Sequence, residues 1–268
     1  MLWLALAAIL GGPQANGADS AGDILRRLID SQARNDEHSL QYTYIQQSER
    51  YWHNRLGDPV HYNTQTHEVL FVEGLAYQKL IGYNGRPLSP EAQAAEEKKM
   101  LQTAEERRRT RPKSAPGGSV RFGPQSADLG SLEELLTKFQ HRLLPDEEIR
   151  GRAAWVIEST PREDLVPANE HEKDIFCFRR KLWIDRADQV IARQMFTVIG
   201  DRLYAKPGTT LIYDCEPIGS DTWHATRITV DMFRPSGKTF EPAEIADYLF
   251  SGFRKFDVQS TITPIPSK

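Results

Sequence analysis

The sequence has no excess of charge of either sign. Its 268 residues include 34 Lys and Arg against 37 Asp and Glu, for a formal net charge of -3 at pH 7. Nucleic acids and anionic membrane surfaces attract proteins with a strong basic field. The balance therefore predicts no nucleic-acid partner and at most a peripheral contact with a membrane.

Known catalytic and nucleotide-binding motifs are also lacking. The sequence contains no G-x-S-x-G, no G-x-x-x-x-G-K-[ST] and no G-x-G-x-x-G. His61 and His67 fall on one face of a predicted strand without a third ligand, and His171-Glu172 lacks the second histidine of a zinc protease. We predict a non-catalytic protein with no metal or cofactor. An enzyme whose site is assembled from distant residues stays open as an alternative.

Long hydrophobic runs are absent, apart from one of nine residues between Leu2 and Leu10. A membrane-spanning helix needs about 20 apolar residues, so this run is too short to span a bilayer. Small residues follow it, which is typical of a secretory signal peptide cleaved near Gly17 or Ala18. We expect residues 1–17 to be the signal peptide and residues 18–268 to form a single domain in the periplasm.

Cysteine is scarce, with Cys177 and Cys215 alone in the chain. Exported proteins often contain disulfides, so a bond between Cys177 and Cys215 is an alternative. In strict strand alternation, however, Cys177 shares a face with charged residues, whereas Cys215 shares one with Leu211 and Tyr213. We favour two unbonded thiols that pack as small hydrophobic residues.

Three segments have helical patterns. The segment 20–38 places Ile24, Leu25 and Leu28 on one face, with Asp19 or Ser20 as the N-cap. A charged helix is expected to begin at Pro90 and to end before Pro112, and a short one covers residues 131–139. The region at about 82–130 is interpreted as an insertion, in which residues rich in Pro, Gly and Ser form a mobile linker after the charged helix.

The remaining sequence predicts about nine antiparallel strands. Turn signals at Glu73-Gly74 and Asn84-Gly85 separate strands in the first third, and KLWIDRADQVIARQ (181–194) has the pattern of a hairpin that turns at Asp185 to Asp188. Sequential strands with short connections form a meander. The predicted class is α+β, with a strongly curved antiparallel sheet covered by helices on one side.

Several segments together resemble a known group of proteins. These are YNGRPLS with its charged helix, EEIRGRAAWVIESTPRED, FRRKLWIDRADQVIARQMF and WHATRITVDMF. They are similar to exported bacterial proteins of the outer-membrane lipoprotein-sorting superfamily, which includes the periplasmic carriers LolA and LolB. The resemblance implies a half-open β-barrel with helices covering an apolar concave face, which holds acyl chains in the well-known members. It carries no catalytic residues.

A ligand site on this fold needs large apolar side chains on one face of the sheet. Nine residues are predicted to line it: Trp155, Ile157, Phe176, Phe178, Ile184, Phe196, Leu211, Tyr213 and Ile228. The same residues could instead form an ordinary solid core. The predicted function is a periplasmic binding protein for a lipid, an acyl chain or a lipoprotein. The alternative is an envelope scaffold or sensor that binds another protein.

Overall fold

A computed structural model of the chain describes residues 19–53, 59–110, 129–200, 207–231 and 244–256. Within them, eleven strands form one sheet in the order β4-β3-β2-β1-β11-β10-β9-β8-β7-β6-β5, and every neighbouring pair is antiparallel. The end strands β4 and β5 do not pair in this order, so the sheet stays open. The predicted α+β class with an open antiparallel barrel is confirmed.

The described helices are α1 (Ala21–Ser39), α2 (Pro90–Thr110), α3 (Leu132–Lys138) and α4 (Glu170–Ile175). The strands are β1 (Tyr42–His53), β2 (Pro59–Val72), β3 (Leu75–Tyr83), β4 (Arg86–Pro87), β5 (Phe139–Ile149), β6 (Arg152–Pro161), β7 (Phe178–Asp185), β8 (Ile191–Val198), β9 (Thr210–Pro217), β10 (Trp223–Asp231) and β11 (Glu244–Lys255).

Helix α1 is the main cover of the sheet. Of the two predicted N-cap residues, Asp19 and Ser20, it is Ser20 that caps the helix, by accepting a hydrogen bond from the backbone N–H of Asp23. Its apolar stripe, Ile24 and Leu28 included, is buried against the sheet. Farther along, the Asn35 carboxamide pairs with both backbone groups of Trp223, at 2.6 and 3.0 Å. These two bonds fix the helix to the first residue of β10.

Helix α3 is short and depends on its caps. Ser131 and Glu134 form a reciprocal capping box, which satisfies two backbone donors that a helix start leaves unpaired. Lys138 then bridges Glu134 and Glu172, each at 2.9 Å, and so ties α3 to α4. Together these bonds position the apolar side of α3 over the sheet.

Helix α2 has the bounds that the prolines predicted, from Pro90 to Thr110. Met100 and Ala104 pack against an apolar group on β2 and β3 that includes Val72 and Tyr77. The Arg107 guanidinium donates to three backbone carbonyls at the β2–β3 turn, at 2.8 to 3.0 Å. Most of the helix surface is charged and exposed, as expected for its sequence.

The described residues form eleven strands rather than about nine, because the two-residue strand β4 and the edge strand β5 were not predicted. Strand β5 contains Pro145, which a strand tolerates at the edge of a sheet. The segment EIRGRAAWVIEST (148–160) has the composition of a single strand, but in the structure it contains a hairpin turn. Arg150 and Gly151 both have positive φ, of 51° and 77°, and they separate β5 from β6.

Phe176 was predicted to lie in a strand and instead is the C-cap residue of α4. The side chain of Asn169 accepts a hydrogen bond from the backbone N–H of Glu172 and starts this one-turn helix. The strand resumes only at Phe178. The mostly apolar segment DIFCF (174–178) is typical of a strand. Asn169, the capping residue that could have indicated the helix, lies five positions before this segment.

Both cysteines are free, which confirms the preferred alternative. The buried Cys177 thiol donates to the carbonyl of Lys173, at 3.2 Å. Burial raises the pKa of Cys215 to about 12.

We therefore expect neither thiol to react with Ellman's reagent at pH 8 in the native protein, since the thiolate is the reactive form. In denaturant without a reducing agent, two thiols per chain should react. Fast reaction of the native protein would contradict the burial, and no reaction in denaturant would contradict the free thiols.

The predicted signal peptide and the predicted linker at 112–127 lie outside the described residues. Within the described ranges, none of the helices is long and apolar enough to cross a membrane.

Candidate functional site

Cross-strand pairing defines one face of the sheet, here called the inner face. Residues directly opposite each other in antiparallel strands point to the same side. One such row runs through Gln65, Ser48, Tyr248, Ile228, Tyr213, Gln194, Leu182 and Ile157. A second row runs through Asn63, Arg50, Ala246, Val230, Leu211, Phe196 and Arg180. The predicted site residues in strands all lie on this face.

The helices α1 and α3 cover one part of the inner face, here called the covered half. Leu28 of α1 and Leu135 of α3 share a cluster with Ile157, Leu182 and other residues of β5 to β8. These four side chains have no exposed surface. The covered half is therefore a packed core.

The inner face continues beyond these helices from Phe178, at the start of β7, over β8 to β11, and this part is here called the open half. Phe178, Phe196 and Tyr213 form a chain of edge-to-face rings, with centroids 6.0 and 5.9 Å apart. Leu211 and Tyr213 are half-buried and contact the clusters on both sides of them. Among the described residues, no helical residue belongs to either cluster.

The nine predicted site residues are divided between these halves. Four pack with α1 and α3: Trp155, Ile157, Phe176 and Ile184. Five lie in the open half: Phe178, Phe196, Leu211, Tyr213 and Ile228. That any of them binds a ligand stays a prediction. If one does bind, Leu211 and Tyr213 are the better candidates, because they are half-buried, whereas Phe178, Phe196 and Ile228 are 5% exposed or less.

Arg180 is a residue of the inner face that the sequence analysis missed. It is 1% exposed, and its guanidinium carbon lies 5.2 Å from the ring centroids of both Phe139 and Phe196. Such cation–π contacts stabilise a buried cation. Strand alternation could have placed it between Phe178 and Leu182, but the triplet Arg-Arg-Lys indicated exposure.

A group of rings at Tyr44 closes one end of the open half. His224 and Phe253 lie 4.7 and 5.6 Å from Tyr44, measured between ring centroids, and Phe250 is 5.8 Å away. Burial raises the pKa of Tyr44 well above its usual range and lowers that of His224. Both rings are therefore neutral at pH 7 and extend the apolar surface.

The inner face changes character on β1 and β2, where its side chains are polar. Gln46 and Ser48 are each 2% exposed and Asn63 is 4% exposed. We call Gln46, Ser48, Asn63, Gln65 and His67 the polar strip. The sequence pattern did not indicate that these polar residues would be buried, because alternation alone does not tell which face of a strand is covered.

The opposite, outer face carries a cleft of about 290 Å³. It is lined by Trp183, Arg193, Met195, Ile212, Asp214, Arg227 and Thr229. Arg193 pairs with Asp214 at 2.6 Å, and Arg227 pairs with Asp247 at 3.0 Å. The cleft thus has an apolar floor and walls whose charges neutralise each other in pairs.

Titratable side chains of α3 and α4 form hydrogen bonds and ion pairs with each other. Burial opposes ionisation of Glu134, but hydrogen bonds from Lys138, the backbone of Ser131 and His171 lower its pKa to about 2. A carboxylate held ionised by three donors is a poor general acid at neutral pH. Over the described residues, no group of three or more His, Cys, Asp and Glu side chains could hold a metal ion.

Comparisons with known proteins give similarity in structure alone. No family model matches the chain, and no curated protein matches it. Among solved structures, a Vibrio parahaemolyticus domain named for outer membrane lipoprotein sorting is 15% identical, with a TM-score of 0.41. The alignment covers 89% of this chain and 94% of that one.

Two further structures are similar to a comparable degree. A protein of the DUF1329 family from Desulfovibrio piger is 16% identical with a TM-score of 0.42, over 88% of this chain and 95% of that one. A LolA superfamily protein from Nitrosomonas europaea is 13% identical with a TM-score of 0.35, over 90% and 96%. The Vibrio and Nitrosomonas proteins carry names of the group that the sequence resembles. At these values the similarity says nothing about what this chain binds.

Proposed function

We propose that this chain is a non-catalytic binding protein of the bacterial periplasm, and that it holds a lipid, an acyl chain or the lipid of a lipoprotein on the open half of the inner face. Export rests on the predicted signal peptide, and the absence of catalysis on the lack of motifs in the sequence.

One observation carries the proposal. Leu211 and Tyr213 are half-buried apolar side chains that continue the helix-covered core onto open sheet. An acyl chain laid along them would remove apolar surface from water, which stabilises a complex by about 25 cal/mol for each Å² buried.

Adjacent residues of β9 provide a matched test. Leu211 lies on the inner face and Ile212 lines the outer cleft, and both are half-buried. We expect Leu211→Asp to weaken binding of a fluorescent fatty acid by about tenfold or more, because the ligand would have to desolvate a carboxylate. Ile212→Asp should leave this affinity unchanged. Fluorescence titration measures both, with thermal unfolding as the check on folding.

The reverse pattern, in which only Ile212→Asp weakens binding, would move the ligand to the outer cleft. Wild-type protein that binds no fatty acid or related lipid would remove the proposal altogether.

The outer cleft favours a second candidate function, the binding of an envelope protein. Its apolar floor at Trp183 and Ile212 lies between paired charges, which is the mixture found in protein interfaces. In this case Ile212→Asp should abolish copurification of a defined partner, and Leu211→Asp should not.

A further inference from the structure

The polar strip contains a buried hydrogen-bond acceptor that has no partner. The carboxamide oxygen of Asn63 is buried and has no hydrogen-bond partner among the described residues, and Asn63 as a whole is 4% exposed. Leaving such a group unpaired costs about 1 to 3 kcal/mol. A buried polar atom kept at this cost indicates that something else supplies the missing donor.

A second atom of the strip is in the same state. Nδ1 of His67 is buried without a hydrogen-bond partner among the described residues. Burial lowers the pKa of His67, so its ring is neutral at pH 7 and can accept a hydrogen bond. Gln46, which lies opposite His67 in the β1–β2 ladder, is bonded to Gln78 at 3.2 Å. Arg50 lies directly opposite Asn63 on the same face, and its charge acts on His67 together with those of Glu96 and Lys99 on α2. The strip thus combines amide groups with at least one unpaired acceptor, beside charges of both signs.

The strip and the open half lie on the same face of the sheet. Asn63 and Leu211 belong to the same cross-strand row, with β1, β11 and β10 between their strands. Four strand spacings separate them, or about 19 Å along the sheet. A single amphiphilic molecule can therefore contact both regions, with its apolar chain on the open half and its polar end at Asn63.

From this arrangement we propose that the polar strip binds the uncharged, hydroxyl-bearing head of an amphiphile. Hydroxyl groups donate to the Asn63 oxygen and also accept from the amide groups around it, whereas a carboxylate or a phosphodiester has no proton to donate. The inference rests on the proposed function, because it names the class of ligand that the open half would hold.

Two probes with the same chain separate the head from the tail. Monolauroylglycerol has a diol head and lauric acid a carboxylate, so a difference in affinity reports on the head alone. We expect the wild-type protein to bind monolauroylglycerol more tightly. Asn63→Leu should weaken that binding by about three- to tenfold, the effect of losing one hydrogen bond, and should leave lauric acid unaffected.

Thr64→Val is the matched control, since Thr64 is the next residue of β2 and points to the outer face. It should change neither affinity. The proposal is overturned if the wild type prefers lauric acid or binds both probes equally, a result that needs no variant to fold. It is also overturned if Asn63→Leu weakens both probes alike. Failure of both probes to bind would instead contradict the proposed function.

Discussion

Replacing Asp185 by alanine should lower the free energy of unfolding by about 3 kcal/mol, since a buried carboxylate that accepts several charged and backbone hydrogen bonds is lost. Asp185 is 1% exposed. It accepts two bonds from Arg152, at 2.6 and 2.8 Å, and two from the backbone N–H groups of Ala187 and Asp188. One side chain thus shapes the β7–β8 turn and binds it to β6.

Asp188→Ala is the matched control for this substitution. Asp188 accepts from the same guanidinium at 2.7 Å and from the indole N–H of Trp223 at 3.1 Å, but its side chain is 47% exposed. Exposed ion pairs contribute about 1 kcal/mol or less, so the loss should be small. Urea denaturation of both variants measures the difference. Equal losses would show that burial of Asp185 contributes nothing beyond the ion pair.

The effect of Asp185→Ala should also depend on pH. Burial opposes ionisation of Asp185, but the bonds from Arg152 and the turn backbone hold its pKa below the usual range. A carboxyl whose pKa is lowered by folding stabilises the protein fully above its unfolded pKa, about 3.9, and loses that contribution as the pH falls through the folded value. The gap between wild type and variant should therefore narrow below about pH 4.

The sequence predicted this hairpin better than it predicted the site. Trp183 and Ile184 before an Asp-rich turn indicate a strand end, and the structure has the turn at Asp185. The spacing of apolar residues likewise predicted α1 and α3 to within two residues. Such features depend on neighbours along the chain, and so they can be recognised locally.

Which part of each sheet face is covered by helices depends on contacts between residues distant in sequence. The sequence predicted this covering less completely. Alternation placed Leu211 and Ile157 on one side of the sheet, which the register confirms. It did not show that α1 and α3 pack over Ile157 and that the described helices leave Leu211 uncovered. Nor did it show that Asn63 would be buried, because a polar residue on a strand normally indicates the exposed face.

The difference between the two halves of the inner face should be measurable as stability. Leu28→Ala removes a side chain with no exposed surface from the cluster of α1, α3 and the sheet. We expect a loss of about 2 to 5 kcal/mol, the range for leucine truncated in a closed core. The loss combines the transfer free energy of the missing methyl groups with the cost of the cavity that they leave.

Leu211→Ala makes the same chemical change in the open half, where the side chain is half-buried. Less apolar surface returns to water, and no closed cavity forms, so we expect a loss below about 1.5 kcal/mol. Urea denaturation of the two variants under one set of conditions gives the comparison. A loss as large as that of Leu28→Ala would mean that the inner face is packed throughout, which leaves no surface for an acyl chain. A small loss with weakened lipid binding would identify Leu211 as a residue kept for the ligand.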